Sequence, residues 1–303
     1  MISLHTPNQN HLDYLYEDIQ HDQERILHLL KNRASKDDFD LFLLGDHAYR
    51  LAGRLNLSPS GSPAEIYDAL YLASDAYAAA FYLARFPAGE KRLDFGLYGL
   101  SVDVIRQSTG VTSTSHAGRW ITAFYLSMAT LDLAEIGGVL MPFPRELLET
   151  SSTVAAPFLL AQVDAYKAVY LQTEDAPKKM TAFLEATSFD NVEAIHREYV
   201  LDISKNESIM LARLMMRDEE QFNAELKTAL EAHKHYYNRN ATAYDPDGNV
   251  RNDPQHWIYL AGMGMAAWAR MLGMNVTVES EYLPRRPVQR RDGPLEPSSD
   301  QYR

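Results

Sequence analysis

Glu193 and His196 stand three residues apart, the Glu-x-x-His spacing with which helical bundles hold a pair of iron ions. Such a centre needs a second Glu-x-x-His and two further inward glutamates. No second copy occurs in the sequence, so a solvated helix face is the plainer reading. Glu231, His233 and His235 suggest zinc, but His233 and His235 leave a helix in different directions and do not form an i, i+4 pair. His235 is instead placed to pair with Glu231 one turn back. Asp245-Pro246-Asp247-Gly248-Asn249 has the look of a calcium loop. Its glycine falls at the fourth position rather than the sixth, and His256 stands where a bidentate glutamate is required, so it reads as a turn.

A dinucleotide-binding outline is also present. Trp257 to Ala261 reads as a strand, Gly262, Gly264 and Ala267 fit G-x-G-x-x-A, and Val276 to Val278 followed by Glu279 supplies a second strand and its acid. Asp253-Pro254, however, is a helix-start signal that places Gly262 inside a helix. The interval from Gly262 to Glu279 is also short of the ~20 residues expected. The glycines then serve close approach of a neighbouring helix, at about 1 kcal/mol each in helix propensity. Gly99-Leu100-Ser101-Val102-Asp103 lacks the closing glycine of a nucleophile elbow. What remains for catalysis is Glu193, His196, Glu231 and His235 as acid–base groups between helices, which requires that they converge in a deep pocket. No catalytic residue, metal ligand or cofactor is expected.

The elements that must position these residues are overwhelmingly helical. His11 to Asn32 carries Leu12, Leu15, Ile19, Ile26 and Leu30 on one side, and Asp37 to Leu55 forms a second helix. Ser62-Pro63-Ala64-Glu65 combines a cap, a proline at the first helical position and a reciprocal glutamate, opening a helix to about Arg85. Tyr14, Tyr67, Tyr71, Tyr77 and Tyr82 fall at helical spacings and read as half-buried core. Lys91 to Val104 alternates around Gly99 and predicts a β-hairpin or extended excursion near 92–105. Ser115 is placed to cap an apolar helix from His116 to about Ile136. Helices follow at 144–151, 154–172, 176–187, 190–203, 206–216 and 218–237, and a last one runs from Pro254 to Leu272. The expected fold class is all-α: an array of antiparallel helices with one small β insertion. No Gly/Ser or charge-run linker divides the chain before Arg285, so one domain over 1–284 is expected, with 285–303 a poorly ordered Arg/Pro-rich tail.

Forty-one acidic against 29 basic residues give a formal net charge of −12, which argues against binding nucleic acid through phosphate contacts and suits a basic partner. The absence of cysteine excludes disulfides, thiolate catalysis and Cys-based zinc sites. The longest uncharged apolar stretch, Ile121 to Leu131, falls well short of the ~20 residues of a membrane span. Met1 to Asn10 has no basic region followed by an apolar one, so a soluble cytoplasmic protein is expected.

Two late segments carry no chemistry yet are distinctive together: Phe222 to Tyr236 (FNAELKTALEAHKHY), with Phe222, Leu226, Leu230, Glu231, His233 and Lys234, and Val278 to Pro284 (VESEYLP), with Glu279, Glu281, Tyr282 and Pro284. With Trp120 and Phe124 of WITAF, and the Gly262 to Gly273 segment, they resemble the immunity protein 49 family over roughly 110–285. Physically they read as a core-facing helix and a short β-prone run, Val276 to Val278, that closes beside it and is stopped by Pro284. The resemblance implies a polymorphic-toxin immunity protein that binds a cognate toxin domain and blocks it, without catalysis and without a nucleic-acid or membrane partner. The acidic charge suits a basic toxin such as a nuclease. The alternative classes are a helical-repeat adaptor binding another protein in a groove, and the enzyme with a Glu/His site named above.

Toxin contacts are then expected away from the family motifs. The acids Asp37, Asp38 and Asp40, and Asp218, Glu219 and Glu220, sit at helix starts, where the helix dipole alone favours them, and otherwise form a partner surface. The polar interval Asn238 to Asp253 adds Arg239, Tyr244, Asp245 and Asp247.

Overall fold

The computed structural model describes residues 1–31, 39–97, 100–151, 156–242 and 250–286. The expected Asp37 and Asp38 lie outside the described residues, as do Tyr244, Asp245 and Asp247 and the tail beyond Arg286. In chain order the helices are α1 (Gln9–Asp13), α2 (Leu15–Lys31), α3 (Phe39–Leu57), α4 (Pro63–Ala84), α5 (Ala117–Thr130), α6 (Leu133–Glu135), α7 (Arg145–Ser151), α8 (Pro157–Leu171), α9 (Ala176–Ala186), α10 (Arg197–Tyr199), α11 (Lys205–Met216), α12 (Glu219–Tyr237) and α13 (Leu260–Met271). Strands β1 (Arg92–Leu97) and β2 (Leu100–Gln107) pair antiparallel, with Arg92 opposite Gln107 and Phe95 opposite Val104. The fold is all-α with this one hairpin, as the sequence predicts. No helix among the described residues is long and apolar enough to cross a membrane.

The described residues group into two compact units, one comprising 14–155 with 285–286, the other 1–13 with 156–284. The first is built on α4. Ser62 accepts from the Glu65 amide (3.2 Å) while the Glu65 carboxylate accepts from the Ser62 amide (3.0 Å), so the predicted capping box forms. The helix it starts is buried almost all round, and Tyr67, Tyr77 and Tyr82 lie in the core. Tyr14 corrects the expectation for its group: it stands at the break between α1 and α2 and is 62% exposed. Gly45 lets α3 press on α4, because a Cβ there would lie 2.3 Å from the Tyr77 ring. Arg119 on α5 grips Asp46 of α3 through both carboxylate oxygens (2.8 and 2.9 Å) and lies over the Phe42 ring.

Two expectations in this unit are corrected. His116, not Ser115, caps α5, its Nδ1 accepting from the Arg119 amide at 3.4 Å; the Ser115 hydroxyl turns back to accept from the Thr112 amide. The helix stops at Leu131, in the left-handed region at φ 60°, rather than running to Ile136, and Asp132 starts the short α6 and a π-helical turn, Ile136–Leu140. The base of the hairpin is fastened by Ser108, whose hydroxyl donates to the Pro87 carbonyl and accepts from the Lys91 amide.

In the second unit, α8, α11 and α13 run in one direction. Tyr166 of α8 meets Met265 and Trp268 of α13, and Tyr170, one turn on, meets Trp268 again at 5.9 Å. Gln162 of α8 donates to Glu207 in the first turn of α11 (2.8 Å). The end of α11 passes directly into α12, whose start is tied to the residues after α13: the Asn275 amide donates to Glu219 and the Thr277 amide to Asn223, both at 2.8 Å. Helices α9 and α12 return between them.

Three further expectations are corrected here. Residues 190–203 are not one helix but a 3-10 turn, the short α10 and a π-helical turn, Val200–Ser204. Val192 is extended because it is drawn into a cluster with Phe158 and Val200. The last helix begins at Leu260, since Asp253 caps only the 3-10 turn Pro254–Trp257 and Ile258 is extended. Val276 to Val278 forms no strand; the amides on either side of Val276 are spent on side chains of α12. The closure comes two residues later as a parallel bridge between Ser280 and Ile2, in which the Glu281 amide donates to the Ile2 carbonyl (3.0 Å).

Candidate functional site

The two late segments the sequence singled out meet in the second unit, and their apolar residues point inward. Phe222, Leu226, Leu230 and Tyr282 are fully buried, and His233 is 4% exposed. The His233 ring packs against Tyr237, Tyr259 and Tyr282 with centroids 4.6–4.9 Å apart. Its Nε2 lies 2.9 Å from the His256 carbonyl, which only accepts, so Nε2 carries the proton. Gly262 belongs to the same packing: a Cβ there would meet the Tyr259 ring at 2.4 Å and Leu226 at 3.3 Å.

One member of this cluster was missed in the sequence. His5, 2% exposed, is sandwiched between the Arg251 carbonyl (3.1 Å from Nε2) and the Tyr282 hydroxyl (2.7 Å from Nδ1). The carbonyl fixes Nε2 as donor, so Nδ1 accepts from the tyrosine, which in turn accepts from the His5 amide. Both histidines are therefore held neutral. Burial lowers the His5 pKa to about 4 and pushes that of His233 well below its ordinary value. Nothing within the sequence near His5 signals this, because its partners lie some 250 residues away.

Three of the remaining family-motif residues fasten this centre. Glu281 accepts from the Leu4 amide (2.9 Å), Lys234 donates to the Ser3 hydroxyl (2.7 Å), and Tyr282 accepts at its carbonyl from Tyr259. Glu231 and Glu279 are exposed and Pro284 is half-buried. In the other unit Trp120 and Phe124 stack 5.6 Å apart in the core, and the Trp120 indole donates to the Leu140 carbonyl (3.0 Å).

A second buried polar centre lies in the first unit. Asp75, Asp132 and Glu135 bring carboxylate oxygens within 4.8 Å of one another, the geometry of a possible cation site. Glu135, 2% exposed, already accepts at Oε2 from the Ser74 and Ser127 hydroxyls (2.6 and 2.9 Å) and is hydrogen-bonded to Asp75. Burial, with Asp75 and Asp132 beside it, drives its pKa well above the usual carboxylate range. The arrangement fits a neutral carboxylic acid serving as a hydrogen-bond hub. Glu135→Gln is therefore expected to hold or raise the melting temperature at pH 8. Glu135→Leu, which leaves the Ser74 and Ser127 hydroxyls only each other (2.9 Å) and one hydroxyl proton unpaired, is expected to cost about 1–3 kcal/mol. Thermal denaturation of the two variants checks this.

Three of the four acid–base candidates stay at the surface. Glu193, Glu231 and His235 are exposed, and His196 packs edge-on against Phe158 at 6.0 Å. Among the acids expected at a partner surface, Asp40 is half-buried in the first turn of α3. Asp218 caps α12 through the Gln221 amide (3.1 Å), Glu219 holds Asn275, and Glu220 is exposed. Arg239 bridges Glu198 and Asp202 and covers the Tyr236 ring at 5.4 Å, so it braces the π-helical turn.

Comparison with curated proteins and with solved structures gives no match. Comparison with family models does, and the matched span takes in Trp120, the α12 segment and the closing Tyr282 described above. Residues 61–286 match immunity protein 49, and the chain belongs to that family of toxin-system immunity proteins.

Proposed function

We propose that the protein neutralises a cognate toxin domain of a polymorphic toxin system by binding it stoichiometrically in the cytosol of the cell that makes both. The observation that carries this reading is the family match over residues 61–286. It is supported by the exposure of Glu193, Glu231 and His235, which does not suit acid–base groups enclosed in a deep pocket. The net charge of −12 favours a basic target such as a nuclease, through faster encounter and fixed register. We read 1–284 as one functional domain, since the family match runs across both compact units.

Protection requires that the complex outlast the toxin's encounter with its substrate, which calls for an apolar anchor and slow dissociation in addition to charge. The direct test is co-expression with the toxin domain encoded by the adjoining gene. Growth is expected to be restored, and the two proteins are expected to co-purify. Continued killing with no co-purification would overturn the reading.

A further inference from the structure

Helices α8, α11 and α13 run parallel and stop at the same end of their unit, and each stops on an exposed apolar residue. Leu171 is 54% exposed, Met216 55% and Met271 44%. Behind each, the chain turns through the left-handed region within two residues: Gln172 at φ 53°, Arg217 at 54° and Gly273 at 84°. These turns release the chain sideways and leave the helix ends uncovered by their own continuations. That the three ends share one location follows from the Tyr170–Trp268 contact, the Gln162–Glu207 hydrogen bond at a matching distance from both helix ends, and the Glu219–Asn275 hydrogen bond.

The surround of this end is acidic. Glu174 and Asp175 occupy the exposed turn after α8, and Asp218, Glu219 and Glu220 open α12, against Lys178, Lys179, Arg217 and Arg270, of which Lys179 is paired with Asp164 (3.3 Å). Acids thus outnumber bases around three solvent-facing apolar side chains. Folding gains nothing from leaving a leucine and two methionines exposed at matching helix ends, whereas a protein interface needs such a centre inside a polar rim. Methionine adds adaptability, since its unbranched thioether repacks against a partner.

We infer that this end of the 156–284 unit is the toxin-docking surface. Leu171, Met216 and Met271 form the anchor, and the partner is a protein patch with an apolar centre and a basic rim. The inference rests on the immunity reading and specifies its surface. The apolar residues fix residence time, while Glu174, Asp175 and Glu220 set the rate of encounter.

The test uses the full chain and the purified toxin domain of the adjoining gene. Leu171→Ser, Met216→Ser and Met271→Ser combined are expected to weaken binding at least a hundredfold, mainly through faster dissociation, and to abolish protection, with the melting temperature unchanged. Glu174→Lys with Glu220→Lys is expected to slow association at least threefold at low salt, with the difference shrinking at high salt. Should the triple variant unfold, hydrogen exchange on the wild-type complex decides: amide protection over 171–176, 214–221 and 270–276 supports the surface. Protection elsewhere, or full affinity in a folded triple variant, overturns the surface while leaving the immunity reading standing. Absence of any wild-type binding overturns the immunity reading itself.

Discussion

Trp120→Ala is expected to destabilise the protein by about 3–5 kcal/mol, the range for deleting a fully buried aromatic side chain. Trp120 is 0% exposed, stacks on Phe124 and donates its indole proton to Leu140, which closes the π-helical turn after Glu135. Removal opens a cavity and leaves that carbonyl only the longer hydrogen bond from the Phe143 amide (3.3 Å). Trp120→Phe keeps most of the packing and loses the hydrogen bond, so about 1–2 kcal/mol is expected. Urea denaturation midpoints, read with an unchanged slope, check both values. A loss below 1 kcal/mol for the alanine variant would mean that this family-motif tryptophan is not a keystone of the core.

The second large effect is with pH. His5 and His233 are neutral when folded, with pKa values depressed below the ordinary 6.5, His5 to about 4. Unfolded chains therefore bind protons that the native state refuses, and the stability these residues contribute falls as pH drops from about 6.5 towards 4. For His5 the difference between folded and unfolded values corresponds to about 3 kcal/mol across that window, at 1.36 kcal/mol per unit. Glu135 acts in the opposite sense. Its raised folded pKa makes its contribution complete below about pH 4.5 and eroded as pH rises. Total stability against pH mixes the two signs, so the informative quantity is the difference between wild type and variant. His5→Gln is expected to remove about 3 kcal/mol of acid-side loss between pH 7.5 and 4. Glu135→Gln is expected to remove an alkaline-side loss. Denaturant titrations at pH 4, 5, 6, 7.5 and 8.5 measure both, and equal slopes in wild type and His5→Gln would contradict the buried neutral pair.

Most of the helical framework was legible because its signals are local. Ser62-Pro63-Ala64-Glu65 states its cap in four residues, and Phe222 to Tyr236 states its inward face through apolar spacing. The misreadings fall where tertiary demands override local pattern. Val192 is pulled extended into a cluster with Phe158, which breaks a segment that reads as helix. Val276 to Val278 has the composition of a strand, but Asn223 and Glu219 take the amides that a ladder would need. His5 was invisible because the hydroxyl and carbonyl that hold it belong to Tyr282 and Arg251.

The candidate surface was half legible. Asp218, Glu219 and Glu220 were expected at a partner face, yet the fold assigns Asp218 to a cap and Glu219 to the loop after α13. Leu171, Met216 and Met271 escaped notice because each, taken alone, is simply the last apolar residue of an amphipathic stripe. Only their parallel arrangement makes them a group. The family motifs are distinctive in sequence and are spent mainly on the interior, where Phe222, Leu226, Leu230, His233 and Tyr282 are buried, although Glu231 and Glu279 are exposed and Met271 of the proposed anchor lies within the Gly262 to Gly273 segment.

On the proposed reading, protection works by occupancy rather than turnover. That is tested most directly by titrating the purified protein into a fixed, known concentration of the toxin domain and following the residual toxic activity. A linear fall that ends at one equivalent is expected, with all activity recovered when the complex is denatured and the toxin refolded. Complete inactivation by a small fraction of an equivalent, or toxin that stays inactive after separation, would show a catalytic antidote and overturn neutralisation by stoichiometric binding.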